Sequence, residues 1–278
     1  MLNDKAVDAI KQKVESFIRS QDIENIVLRD EIFPLLQKQK CVVLYYPIGD
    51  PTREKFCDGC NTTRTINGEQ VHMVFINTQN TVERQVFTAA HELGHILRIA
   101  EDLANRKKID QDSIEEATNR FAAELMMPRK SFIMQVKKFL SDNRLNTKRI
   151  SMKNFLRLVV YLMEYFFMPF RAVLLRIYEM KFIDSTAMEN ALQYKKSLEI
   201  DNIIKEEQYT RLRQVNKRKS MSNLPEYLQK MQKMGRGNTV KIENICRMFD
   251  VENILKTDDL SQEISIRRDT DVEKVCGN

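Results

Sequence analysis

Residues 91 to 95 read His-Glu-Leu-Gly-His, and this pentapeptide constrains the chain more than any other segment. On a helix, residues four apart lie on one face, so His91 and His95 can bind one metal ion. Two imidazoles provide half of a tetrahedral Zn²⁺ site, and a catalytic site adds a third protein ligand and one position for water. The chain has only three histidines, and two of them have this spacing. The pentapeptide therefore predicts a zinc-dependent hydrolase.

The residues around the motif predict its helix independently. Apolar residues recur at helical spacing from Val82 to Leu97, and Asn80 with Glu83 fits a capping box at the helix start. Gly94 lies inside this helix, where glycine costs about 1 kcal/mol relative to alanine. We infer that a side chain at Gly94 would collide with a neighbouring element or with the metal.

A second predicted helix, starting at Ser113, carries the candidates for the third ligand. Ser113 and Glu116 fit a capping box, which would occupy Glu116 and leave Glu115 free. Glu115 and Asn119 share a helix face, as a ligating carboxylate and a supporting amide would. Glu115 is therefore the predicted third ligand, and Glu116 and Glu124 are the alternatives.

Three segments of the chain carry a family resemblance. They are the pentapeptide, the preceding Arg84-Gln85-x-Phe87-Thr88-x-Ala90, and Asn119-Arg-Phe-Ala-Ala-Glu-Leu-Met-Met-Pro128. Together they closely resemble the ImmA/IrrE family of metallopeptidases, over about residues 25 to 130. The resemblance implies zinc held by His91, His95 and Glu115, with Glu92 as the catalytic carboxylate. It also implies a bacterial, cytoplasmic, gluzincin-like domain that cleaves a helix-turn-helix repressor and switches on genes of a mobile element or a stress response.

The chemistry of the motif gives Glu92 a role of its own. Zinc polarises the scissile carbonyl and lowers the pKa of a bound water, while Glu92 accepts the water proton and passes it to the leaving amine. The alternative function is a regulator with a vestigial zinc site that holds a repressor or DNA without cutting.

Two further sequence patterns are weaker candidates for functional residues. His72 lies in the strand-like segment Val71–Asn77 and could line the substrate cleft, although an ordinary strand histidine explains it more simply. Cys57-Asp-Gly-Cys60 has metal-ligand spacing, but neither a second cysteine pair nor partner histidines accompany it, so we predict a loop.

Composition is consistent with a cytosolic globular protein. The 278 residues are 42% hydrophobic and 30% charged, which allows a sizeable core and more than one domain. Five cysteines without a disulfide-like array, and an amino terminus without an apolar stretch, favour a reducing cytosol. The longest apolar stretch, Phe155 to Leu175, contains three charged residues and Pro169, so we expect no membrane span.

We expect a helix-rich α+β protein with three regions. A gluzincin-like zinc metallopeptidase domain with a small sheet is predicted at residues 1–135, an all-α helix-turn-helix-like region at 136–190, and a basic helical region with a loose tail from Thr257 at 191–278.

Periodicity assigns the elements of the first region. The predicted elements are an amphipathic helix through Val7 and Phe17, a helix over Glu24 to Gln37, strands at Cys41 to Tyr46 and Val71 to Ile76, and a polar loop from Gly59 to Gly68.

The later regions are predicted to be helical. One part of this segment resembles a helix-turn-helix: a helix at Phe155 to Tyr165, a turn at Phe166 to Met168, and a second helix at Pro169 to Lys181. DNA reading is possible but not favoured, because the second helix offers few polar side chains, and packing on the peptidase is the preferred interpretation. The basic segment Arg211 to Lys219 could contact phosphates or an acidic partner, but a solvated helix face or linker is favoured. Val240 to Leu255 is predicted to form another helix.

Overall fold

The computed structural model describes residues 2–23, 27–49, 57–66, 68–106, 109–145, 150–234 and 239–249. The chain divides into two compact units, Met1–Arg218 and Lys219–Asn278. The boundaries predicted at residues 135 and 190 both lie inside the first unit, and they stay predictions. The expected class, a helix-rich α+β protein with a small sheet, is confirmed.

In its described residues the first unit contains ten α-helices and three strands. The helices are α1 Asp4–Ser20, α2 Ile32–Lys38, α3 Val82–Ile96, α4 Ile99–Asn105, α5 Ile114–Met126, α6 Arg129–Asp142, α7 Met152–Phe166, α8 Phe170–Glu179, α9 Ser185–Leu192 and α10 Leu198–Glu206. The strands are β1 Cys41–Tyr46, β2 Gly59–Ile66 and β3 Glu69–Asn77.

The sheet is mixed, and β3 lies between the other two strands of this unit. β1 runs parallel to β3 with Cys41 opposite His72, whereas β2 runs antiparallel to it with Gly59 opposite Ile76. The predictions for β1 and β3 are confirmed. The polar loop predicted from Gly59 is wrong, because this segment forms β2. Its side chains are largely polar and exposed, so hydropathy gives no signal, and backbone pairing with β3 makes the strand.

The core begins with the amphipathic face predicted for α1. Ile10, Val14 and Phe17 are buried, and the Phe17 ring packs edge-on against Phe121 of α5 at a centroid distance of 6.4 Å. The helix predicted from Glu24 to Gln37 is wrong in extent. A short 3₁₀ turn at Arg29–Glu31 precedes α2, and residues 24 to 26 lie outside the described residues.

Two helices of the predicted helix-turn-helix region form the expected pair. Ser151 caps α7 through its side chain, Phe167 ends that helix with a left-handed φ of 54°, and Pro169 directly precedes α8. The two helix axes bend by 107° at this break. Buried side chains of both helices belong to the same hydrophobic core as those of α1, α3 and α5.

No single helix among the described residues is long and apolar enough to cross a bilayer. Only α7 and α8 taken together have sufficient length and apolar composition, and they are bent at the break between them.

The second unit contains strand β4 Ser220–Met221 and helices α11 Leu224–Lys233 and α12 Thr239–Met248. Leu224, Leu228, Ile242 and Cys246 form a small core of its own. α12 covers the first part of the helix predicted from Val240, while residues beyond 249, including the tail from Thr257, lie outside the described residues.

Candidate metal centre

Helix α3 carries the pentapeptide, and Gly94 lets α5 pack closely against it. A Cβ at Gly94 would lie 2.9 Å from Cδ1 of Phe121 and 3.0 Å from Cγ2 of Thr118, both on α5. The inferred collision is therefore confirmed, and the obstacle is the neighbouring helix. The contact places the side of α3 that carries the histidines beside the first turns of α5.

The predicted capping box at the start of α3 is wrong. The side chain of Asn80 donates to Asp58 Oδ1 at 3.0 Å, and Thr81 occupies the N-cap position without a side-chain cap. Glu83 is buried, and its Oε2 accepts from the backbone N–H of Arg213 at 3.2 Å. Burial raises the pKa of the Glu83 carboxyl.

Residues 209–218, which form turns and irregular backbone, cap α3 instead, and we call them the strap. The N–H of Val82 donates to the carbonyl of Gln214 at 2.8 Å, and the hydroxyl of Thr78 donates to the carbonyl of Arg218 at 2.7 Å. No helix forms over residues 211–219, so the helix-face interpretation of the basic segment is wrong, whereas the linker and the contact with phosphates or an acidic partner stay predictions.

Three arginines of the strap are engaged within the first unit. Arg211 pairs with Asp30 and lies 4.3 Å from the ring centroid of Phe167. Arg213 pairs with Asp201, and Arg218 lies 4.4 Å from the ring centroid of Tyr45. These intramolecular contacts compete with binding to phosphate.

The three predicted ligands meet at one point. Nε2 of His91 and Nε2 of His95 are 3.1 Å apart, and each lies 3.3 Å from a carboxylate oxygen of Glu115. With metal–ligand bonds of about 2.0 to 2.1 Å, the ligand atoms of a tetrahedral zinc site lie about 3.3 Å apart. His91, His95 and Glu115 therefore have the chemistry and the spacing of a metal centre.

The remaining ring nitrogens of the two histidines also have partners. Nδ1 of His91 lies 3.0 Å from Oδ1 of Asn119, the amide predicted to support the site. Nδ1 of His95 lies 3.0 Å from Oε1 of Glu101, a residue that the sequence interpretation missed. Both oxygens can accept from a proton on Nδ1, and in that tautomer each Nε2 lone pair is available for a metal.

The two alternative third ligands are engaged elsewhere. Glu116 does not close the predicted capping box, because its Oε1 accepts from the backbone N–H of Leu2 at 3.0 Å and Ser113 makes no side-chain cap. The Glu124 carboxylate is only 6% exposed and pairs with Arg176 and Arg120. Of these three glutamates, only Glu115 is grouped with the two histidines.

Arg176 explains why Glu124 stays ionised inside the core. Its side chain is fully buried, contacts Glu124, and donates to the carbonyl of Met127 at 2.9 and 3.1 Å. Burial opposes ionisation of Glu124, but the hydrogen bonds and charges of Arg176 and Arg120 outweigh it and lower its pKa to about 2. The network ties α8 to α5, and it buries Arg176, which is one of the few polar side chains of α8.

Glu92 is held by strand β2. The Asn61 side-chain amide donates to Oε2 of Glu92 at 2.6 Å, and Glu92 is buried. Gly59 makes this approach possible, because a Cβ there would lie 2.6 Å from both Cγ2 of Thr88 and the carbonyl oxygen of Phe75. Neither Asn61 nor Gly59 was singled out by the sequence, since their segment was assigned to a loop.

His72 and the cysteine pair lie beside this site. His72 pairs with Thr63 across the strands, and its Nδ1 lies 2.8 Å from the Thr63 hydroxyl, on the same sheet face as Asn61. A role for His72 in the cleft stays a prediction. Cys57 and Cys60 are exposed free thiols, and Cys60 belongs to β2 rather than to a loop.

A family comparison covers the region just described. The family model of peptidase M78, described as the IrrE N-terminal-like domain, matches residues 36–178. The chain belongs to the M78 family. No curated protein sequence and no solved structure gives a match. The M78 region begins in α2, contains every residue of the metal centre, and ends in α8, so the chain carries a metallopeptidase domain with a His-His-Glu group consistent with its HExxH motif.

Proposed function

We propose that the chain is a zinc-dependent endopeptidase that cleaves a helix-turn-helix transcriptional repressor at a specific site in the bacterial cytoplasm. Cleavage would relieve repression of a mobile element or a stress response. The observation that carries the proposal is the triangle of ligand atoms from His91, His95 and Glu115, with edges of 3.1, 3.3 and 3.3 Å, beside the buried carboxylate of Glu92.

The metal ligands, Glu92 and Asn61 would have different roles in hydrolysis of the peptide bond. A zinc ion held by the three ligands would polarise the scissile carbonyl and lower the pKa of a water. Glu92 would take the proton of that water and deliver it to the leaving amine. Asn61 would orient the Glu92 carboxylate by donating to one oxygen, which leaves the other oxygen available for the proton.

The edge of the sheet supports an extended protein substrate. β2 lies at the edge of the sheet, and Thr62, Thr63, Arg64 and Thr65 are exposed. An extended peptide can add to such an edge through backbone hydrogen bonds. A peptide beside β2 would pass the Asn61 side chain and therefore Glu92.

We also propose that α7 and α8 serve to hold the peptidase together rather than to read DNA. Arg176 is buried against Glu124, and one face of each helix lies in the common core. Recognition of DNA by such a pair needs several side chains that reach base edges from the second helix, and the burial of Arg176 reduces that number.

The test combines the purified full-length chain, Zn²⁺ and a helix-turn-helix repressor encoded beside its gene. We expect the wild type to cut the repressor at one site, and Glu92→Gln to bind Zn²⁺ with unchanged affinity while cleaving at least about 100-fold more slowly. Glu199→Gln on the exposed side of α10 is the matched control and should cleave normally.

Two outcomes would contradict the proposal. Stable binding of an intact repressor by the zinc-loaded wild type would favour the non-cleaving regulator. Cleavage by Glu92→Gln at the wild-type rate would remove Glu92 from the proton transfer.

A further inference from the structure

Glu101 reaches the metal centre from outside the motif helix. α3 ends at Ile96, Arg98 reverses the chain with a left-handed φ of 53°, and α4 then returns Glu101 to the last turn of α3. There its Oε1 lies 3.0 Å from Nδ1 of His95. The neighbouring Ile99 and Ala100 are buried in the core, so the position of α4 is fixed by packing.

The chemistry of Glu101 differs from that of Asn119. An ionised carboxylate only accepts hydrogen bonds, so a contact with Glu101 requires the proton of His95 to be on Nδ1. An amide can accept or donate according to its orientation, so Asn119 enforces this tautomer on His91 less strictly. The two contacts have the same length of 3.0 Å, but a charged acceptor forms a stronger hydrogen bond than a neutral one.

The other oxygen of Glu101 supports the same conclusion. Oε2 is buried and has no hydrogen-bond partner among the described residues. The Glu101 side chain is 28% exposed, but this oxygen is shielded from water, and a shielded carboxylate oxygen without a partner is unfavourable unless positive charge lies nearby. A divalent cation on Nε2 of His95 would place that positive charge across the same imidazole ring.

We propose that Glu101 is a positioning residue that fixes the orientation and tautomer of His95 and thereby raises the affinity of the centre for Zn²⁺. This inference rests on the metal centre of the proposed function. In addition to the three ligands His91, His95 and Glu115, the centre then includes a carboxylate from α4 that does not bind the metal. The hydrogen bond from His95 to Glu101 is stronger than the one from His91 to Asn119.

The test measures the dissociation constant for Zn²⁺ by competition with a chromophoric chelator on the full-length chain. We expect Glu101→Ala to weaken binding by about 10- to 100-fold, and Glu101→Gln, which keeps an acceptor but loses the charge, to weaken it by about tenfold. Asn119→Ala should have a smaller effect than Glu101→Ala.

Two controls separate positioning from folding. Asp102→Asn changes the adjacent carboxylate, which faces Lys13 at 3.5 Å, and should leave the dissociation constant unchanged. Thermal unfolding of each metal-free variant in EDTA should match the wild type. If Glu101→Ala unfolds early, the near-isosteric Glu101→Gln carries the comparison.

The outcomes distinguish this inference from the proposed function. If the wild type binds Zn²⁺ and both Glu101 variants bind it as tightly as Asp102→Asn does, Glu101 has no positioning role and the peptidase proposal stands. If the wild type itself does not bind Zn²⁺, both proposals are overturned.

Discussion

Each end of α5 carries a glutamate, but the two carboxylates lie in opposite environments. At its first turn the Glu115 carboxylate is 71% exposed and contacts the two histidines of the motif. At its last turns the Glu124 carboxylate is 6% exposed and is neutralised by Arg176 and Arg120. A carboxylate that is already paired cannot give its charge to a metal without leaving a buried arginine unpaired. The electrostatic partner therefore decides which glutamate of α5 is available as a ligand.

Replacing each glutamate with alanine should separate the two roles most strongly. We expect Glu115→Ala to lose Zn²⁺ binding and to cleave at least about 100-fold more slowly, with unchanged unfolding of the metal-free chain. Glu124→Ala should lower the stability instead and keep Zn²⁺ binding in the folded fraction. Zinc competition and denaturant unfolding on both variants check this, and a Glu115→Ala protein that binds Zn²⁺ normally would contradict the role of Glu115 as a ligand.

The substitution Arg176→Met tests the ion pair of Glu124 at the buried end of α5. It leaves Glu124 inside the core without its main partner, so we expect the free energy of unfolding at pH 7 to fall by about 3 to 5 kcal/mol. Arg157→Met is the control: Arg157 pairs with Glu207 at 2.8 Å with its side chain 32% exposed. The free energy of unfolding of Arg157→Met should fall by less than about 1 kcal/mol.

The loss of stability caused by Arg176→Met should depend on pH. The fold lowers the pKa of Glu124 from 4.5 to about 2, so ionised Glu124 contributes stability above about pH 4.5 and loses this contribution as the pH falls towards 2. The stability difference between the wild type and Arg176→Met should therefore shrink over this interval. Urea unfolding at a series of pH values measures it, and a constant difference would mean that Glu124 is not the group involved.

Gly94→Ala gives the smallest expected effect and tests the contact between α3 and α5. Alanine favours a helix, but its Cβ would overlap Phe121, so we expect a net loss of about 1 to 3 kcal/mol in the free energy of unfolding. In a double-mutant cycle with Phe121→Leu, the penalty should decrease because the overlapping ring is gone. A stabilised Gly94→Ala protein would contradict the close approach.

Periodic patterns predicted the elements whose residues face the core. The spacing of Ile10, Val14 and Phe17 predicted α1, and the apolar run from Cys41 predicted β1. β2 was missed because its side chains are largely polar and its strand depends on pairing with β3. Such pairing joins residues of different segments, and a local pattern cannot report it.

The candidate site divides in the same way. His91 and His95 were predictable because helical spacing alone brings both imidazoles to one face of α3. Asn61 and Glu101 were not, because one reaches the site from an unrecognised strand and the other from beyond a left-handed turn at Arg98. Glu115 was chosen through a capping box that does not form, so the choice agreed with the structure for a reason that was wrong.

The bond from Val82 to the carbonyl of Gln214 joins the first residue of α3 to a position far beyond the last residue of the family match. A truncated fragment ending at residue 178 would expose that amide, together with the carboxylate of Glu83, to water. The amino-terminal end of the motif helix would then lose its hydrogen bonds to Arg213 and Gln214, so biochemical work on the peptidase should retain the polypeptide at least through residue 218.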